Sequence, residues 1–203
     1  MKDATTLDAA MDLIRSAASK MKQDVRFYVD FEEYPALDED GICAMEEWLQ
    51  EQPGMAQQVI PGELKALYRS TGGLRFVWRY KETQPATVGS IGITDLMSLY
   101  QGDDEREKSV SKLHSEPRIF DVIDQYRTVL LSFPMKMGDS VGLYHLDKMA
   151  RKRCKVNLTV DQYLVEASKV LARYGWQRCF TGDRSLDEFE AMREEIGHLA
   201  IDR

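Results

Sequence analysis

The sequence predicts an α+β fold: a single domain with a largely antiparallel, twisted sheet of about four to six strands, packed by N-terminal and C-terminal helices. Three observations carry this. Segments with helical spacing stand at both ends of the chain, and β-rich runs lie between them. In Leu74-Arg75-Phe76-Val77-Trp78-Arg79-Tyr80, four large apolar residues alternate with Arg75, Val77 and Arg79, the pattern of a strand with one buried face. The runs Arg127 to Phe133 and Val141 to Leu146 are joined too closely for a parallel crossover, so they pair as a hairpin. A length of 203 residues favours one domain with additions over two. Helices over 5–22 and 185–200 stand at the two ends of this domain.

Each element has a local reason. Leu7, Met11, Ile14, Ala18 and Met21 recur at helical spacing, with Thr5 or Thr6 as N-cap. Val25 to Phe31 is a short strand ended by Pro35. Asp38, Glu39 and Asp40 precede Ile42, Met45 and Leu49, so the acids meet the positive end of a helix dipole. Pro53 and Gly54 close that helix, and Pro61 sits in the first turn of the next, whose apolar face is Leu64, Leu67 and Tyr68. Thr71-Gly72-Gly73 stops it, because glycine enters left-handed backbone without a Cβ clash.

Val88 to Ile93 is the next strand, and Thr94 or Asp95 caps a short helix reaching Tyr100. Gln101 to Pro117 is polar, charged and aperiodic, an exposed loop. Met137-Gly138-Asp139 makes the hairpin turn. Thr159-Val160-Asp161-Gln162 is a capping box with Leu158 and Tyr163 as its staple; the helix it opens runs to Tyr174 and stops at Gly175. Ser185-Leu186-Asp187-Glu188 opens a final helix carrying Phe189, Met192, Ile196 and Leu199.

Composition narrows the function classes. Hydrophobic residues at 43% and charged residues at 30% exclude disorder over the whole chain. No apolar stretch is long enough to span a bilayer, and Asp3, Asp8 and Asp12 interrupt any leader h-region. Cys43, Cys154 and Cys179 are odd in number and widely spaced, which fits a reducing cytoplasm rather than a disulfide framework.

The charge is unevenly placed. No Lys or Arg occurs between Phe27 and Leu64, a stretch with ten acids, whereas the whole chain carries only −7. Such a face repels nucleic acid and anionic membrane and attracts a basic protein. Its bland counterpart is a solvated surface that serves solubility.

Catalytic patterns are sparse. His114, His145 and His198 have no second histidine at ligand spacing, and no cysteine pair has zinc-knuckle spacing. Gly89-Ser90-Ile91-Gly92 lacks the Lys-Ser/Thr ending of a phosphate loop. His145 near Asp147 reads as an ordinary sheet histidine, and Cys43 as a small buried thiol. Arg151-Lys152-Arg153-Cys154-Lys155 has no interleaved aromatics and reads as a solvated loop. Trp48, Trp78 and Trp176 read as core rather than stacking platforms. No enzyme activity, cofactor or metal is expected from these residues.

The stretch Ile42-Cys43-Ala44-Met45-Glu46, then Ile60-Pro61-Gly62-Glu63-Leu64-Lys65-Ala66-Leu67-Tyr68 ending at Thr71-Gly72-Gly73, then the strand with Trp78, resembles the SUKH superfamily. That group includes many bacterial immunity proteins and a yeast regulator of cell-wall synthesis. Ile91-Gly92-Ile93 with Asp95-Leu96, the hairpin Val129-Leu130-Leu131 and Val141-Gly142-Leu143-Tyr144, and the capped helix after Leu158 extend the resemblance, which implies a domain core over roughly residues 40–175 with the helices at 5–22 and 185–200 as additions. Gly72 stands where such proteins usually carry Asn.

The resemblance implies binding rather than catalysis. Similar proteins sit in the cytoplasm and neutralise a toxin delivered by a neighbouring cell, as in contact-dependent inhibition or type VI secretion. The partner is then a cognate protein toxin, often a basic nuclease or other nucleic-acid-modifying enzyme, with no direct contact to nucleic acid or membrane. A nuclease must be basic to hold phosphate. The residues expected to meet it are Asp30, Phe31, Glu32, Glu33, Tyr34, Asp38, Glu39, Asp40, Glu46, Glu47 and Trp48. The alternative is a regulatory scaffold of the same fold, docking through the Gln101 to Pro117 loop.

Overall fold

The computed structural model describes residues 5–52, 59–83, 85–101, 116–133 and 140–199. The chain is α+β. Helix α1 (Leu7–Gln23) leads into strand β1 (Phe27–Glu33), followed by α2 (Glu39–Glu51) and α3 (Gly62–Ser70). Then come β2 (Leu74–Tyr80), β3 (Val88–Ile93), α4 (Leu96–Gln101), β4 (Arg118–Val122), β5 (Arg127–Ser132), β6 (Gly142–Asp147) and β7 (Lys152–Val156). The chain closes with α5 (Val160–Lys169), a 3-10 helix (Trp176–Phe180) and α6 (Leu186–His198). The seven strands form one antiparallel sheet in chain order, β1 to β7. Two of them lie beyond the five strand runs the pattern marks, namely β4 and β7. The expected turn at Met137-Gly138-Asp139, the stop at Pro53-Gly54 and most of the loop from Gln101 to Pro117 fall outside the described residues.

Period two sorts the side chains. On β2, Leu74, Phe76, Trp78 and Tyr80 are buried while Arg75 and Arg79 are exposed and Val77 is half-buried. Their partners across the ladder are Glu33, Phe31, Val29 and Phe27 of β1, so one face of both strands looks toward the helices. Helices α1, α3 and α5 pack together against that face, with Met11, Ile14, Leu64, Leu67 and Leu164 in the common core. Tyr28, Asp30 and Glu32 lie on the opposite face.

The caps follow the sequence closely. Thr6 accepts from the Ala9 N–H, Asp38 from Gly41 at 2.8 Å, Asp95 from Ser98 at 2.9 Å and Ser185 from Glu188. Thr159 and Gln162 complete their box in both directions. Pro61 stands one position earlier than expected, as the N-cap of α3.

Three expectations are corrected. Arg151 to Lys155 is not a loop: residues 152–156 form the edge strand β7, pairing with β6 through backbone while its cations face solvent. Exposed charge along an edge strand discourages pairing with another chain. Cys43 is exposed, not buried, because Ile42, Met45 and Leu49 take the inward side of α2. Helix α5 ends at Lys169 rather than Tyr174.

That early end has a physical cause. Leu171 and Ala172 both adopt left-handed backbone, φ 47° and 54°, which turns the chain out of the helix. Residues 172–174 then run beside β3: the Ser90 N–H donates to the Ala172 carbonyl and the Tyr174 N–H to the Val88 carbonyl, both at 2.9 Å. They fill a wedge in the sheet, since β3 and β4 are in register only at Ile93 and Asp121. The buried Trp78 indole N–H donates to the Leu171 carbonyl at 2.7 Å and locks the turn from beneath. Gly89 is required there, because a Cβ would stand 2.2 Å from Trp78 Nε1.

Candidate functional site

The ten acids between Phe27 and Leu64 divide into two groups. Six are engaged within the fold. Glu33 takes the Arg15 guanidinium at 2.7 Å, and Asp30 meets Arg75 at 3.1 Å. Glu46 accepts from Lys65 at 2.8 Å and from the Ile60 N–H at 2.9 Å. Glu39 pairs with Arg69, Asp38 caps α2, and Glu63 accepts the Val141 N–H at 2.8 Å. Glu32, Asp40, Glu47 and Glu51 are exposed, and their carboxylates have no ion pair or hydrogen bond among the described residues.

Three of these free acids share one helix face. At about 100° per residue, positions 40, 47 and 51 of α2 fall within some 40° of one another. They project opposite the buried Ile42, Met45 and Leu49, with exposed Cys43, Ala44 and Gln50 beside them. The outward side of α2 is therefore an acidic stripe. Asp38 and Glu39 stand at the helix N-terminus, where the dipole stabilises them.

The aromatic candidates also separate. Phe31 packs edge-to-face on Phe76 with ring centroids at 5.9 Å, and the Lys22 ammonium lies 5.6 Å over its ring. Trp48 is half-buried against the core. Tyr34 is 59% exposed, between β1 and the N-cap of α2. The structure thus puts Asp40, Glu47 and Glu51 on one helix face, with Tyr34, Asp38 and Glu39 at or just before the N-terminus of α2, and leaves Glu33, Glu46 and Phe31 with tasks inside the fold. The spacing of positions 40, 47 and 51 was the available signal for the stripe.

Other polar groups form two buried or half-buried clusters. Cys154 faces His145 across the ladder. The Cys154 thiol donates to Asp183 at 3.7 Å, and Lys152 holds the same carboxylate at 2.5 Å. Burial pushes the His145 imidazole below its ordinary value. Deeper in the core, fully buried Asp121 accepts from the Gly92 N–H at 2.6 Å and from the Tyr163 hydroxyl at 2.5 Å. Burial pushes this carboxyl up to about 6, against those hydrogen bonds and one from Gln177. Asp121 clamps β3 to β4 at their one point of register.

Among the described residues, no three His, Cys, Asp or Glu side chains are grouped to hold a metal ion. None of the described helices is long and apolar enough to cross a membrane. No protein-family model matches the chain, and the comparisons with curated proteins and with solved structures found no match.

Proposed function

We propose that this chain is a cytoplasmic binding protein of the immunity type. It neutralises a basic protein toxin, such as a nuclease or another nucleic-acid-modifying enzyme, by covering the toxin's active site. The observation that carries the reading is the acidic stripe of α2, whose carboxylates at Asp40, Glu47 and Glu51 are left unneutralised by the fold. Such a stripe attracts a cationic surface from a distance and raises the association rate, while affinity comes from contacts that exclude water. The exposed Tyr34, which precedes α2 in the chain, is the aromatic we assign to such a contact. The resemblance of residues 42–80 to the SUKH superfamily points the same way.

The test is co-expression with the toxin-like domain encoded beside this gene, scored by survival and by copurification. Survival with a stable complex is expected. The triple variant Asp40→Lys, Glu47→Lys, Glu51→Lys should slow association by about tenfold or more at low salt. Survival without a complex, or an unchanged rate in that variant, refutes the reading.

A further inference from the structure

A second surface lies on the other side of the molecule. The face of β1–β3 turned away from the helices carries a groove of about 690 Å³, a size that accommodates a ligand or a short peptide. Its floor is apolar: Val77 and Val88 from neighbouring strands, and Ile123 beyond them. One wall is Tyr28, which is 58% exposed. The opposite wall is Tyr174, brought over by the segment that fills the wedge between β3 and β4.

That wall is fixed. The Tyr174 hydroxyl donates to Asp124, and the Arg127 guanidinium lies 5.1 Å over its ring. The left-handed turn at Leu171 and Ala172 sets the backbone beneath it. The groove is therefore built into the fold rather than formed by loose side chains.

Its charge is opposite to that of α2. Arg75, Arg79 and Lys81 line it. Arg75 shares its charge with Asp30, and Lys81 donates to the Val25 carbonyl. The exposed Arg79 guanidinium makes no ion pair or hydrogen bond among the described residues. Val77 and Arg79 point the same way two residues apart, so the apolar floor and the free cation are separated by about 7 Å. The same spacing separates alternate side chains of any extended peptide.

We propose that this groove binds an extended acidic segment of a protein partner. An apolar side chain of the segment rests on Val77 and Val88, and a carboxylate two residues on meets Arg79 and Lys81. Nucleic acid fits less well, because Asp30 and Glu32 border the same face and repel a continuous phosphate backbone. The inference is independent of the immunity reading, since it uses the opposite surface and the opposite charge.

The test is a titration of the full chain by NMR with a nine-residue peptide repeating Leu-Ser-Glu-Ser, with a Leu-Ser-Lys-Ser peptide as control. Saturable shifts of the Val77, Val88 and Ser90 amides are expected with the glutamate peptide only. Arg79→Glu, shown by circular dichroism to be folded, should weaken binding by about tenfold or more, and so should added salt. Equal binding of both peptides, shifts confined to other residues, or unchanged affinity in Arg79→Glu overturns the proposal. So does tighter binding of a thymidine oligonucleotide at the same amides, which would assign the groove to nucleic acid. Asp40→Lys should leave these titrations unchanged, so failure here and failure of toxin binding are distinguished.

Discussion

Strand β2 presents two faces that obey different rules. Its inner side chains, Leu74, Phe76, Trp78 and Tyr80, are buried against helices and against one another. Its outer ones, Arg75, Val77 and Arg79, face a groove with no helix upon it among the described residues. A change on the inner face is felt as lost stability, because close-packed neighbours relax only partly. A change on the outer face is felt at a partner, because solvent replaces whatever is removed. Stability and recognition are thus carried by alternate residues of one seven-residue strand.

The sharpest way to break the inner face is Gly89→Ala. The added methyl lands 2.2 Å from Trp78 Nε1 and 2.8 Å from the Leu171 carbonyl, so the buried indole bond is lost with the packing. We expect a loss of about 3 kcal/mol or more, read by denaturant unfolding. Trp78→Phe comes next, at about 2–4 kcal/mol, since it leaves the Leu171 carbonyl unpaired and a cavity beside it. A stability change below about 1 kcal/mol for either variant would mean that the 171–174 turn does not depend on β2.

Asp121→Asn ranks third and has a pH signature. The Asp121 carboxyl titrates at about 6 in the fold. Unfolded, it titrates near the ordinary value of about 4. Between those values the folded protein holds a proton that the unfolded chain has released. Stability therefore falls as pH rises from about 4 to about 6, by on the order of 2 to 3 kcal/mol. The Asn variant should lack that fall, and subtracting the two curves removes the opposing contribution of His145. Parallel curves would show that Asp121 ionises normally. The smallest effect belongs to the surface: Arg79→Glu, Asp40→Lys and Glu47→Lys should each change unfolding free energy by less than about 0.5 kcal/mol.

Helices were the most legible elements, because caps act locally. Thr6, Asp38, Asp95, Thr159 and Ser185 each bond the backbone three residues on, as their positions indicate. Strands were legible where one face is buried, as in β2. Strand β4 was not: a register shift between Ile119 and Asp121 breaks its period, and Arg118 and Asp121 are polar yet buried. Strand β7 carries Lys152, Arg153 and Lys155 before Val156, with Arg153 lying over the Tyr144 ring of β6, so no apolar period marks it.

The candidate surfaces show the same limit. The excess of acid was visible along the chain, but which acids the fold consumes was not. Glu33 meets Arg15 eighteen residues away, and the groove depends on Tyr174, which reaches β3 only through tertiary pairing. The end of α5 was hidden for the same reason, since a left-handed Leu171 and Ala172 contradict local preference and are held from Trp78.

The bond between Trp78 and Leu171 joins residues 93 positions apart, in a sheet whose strands otherwise pair with their neighbours in sequence. During synthesis at about 5–20 residues per second, β1, β2 and β3 exist for on the order of ten seconds before Leu171 is made. For that interval the Trp78 indole lacks the Leu171 carbonyl, and the edge of β3 turned away from β2 lacks its partner segment along Val88 to Ser90. The nascent chain is then a partial sheet with an open seam, closed when residues 171–174 arrive. Truncation before residue 171 would make that transient seam permanent, so such a chain should associate or be degraded rather than persist as a smaller domain.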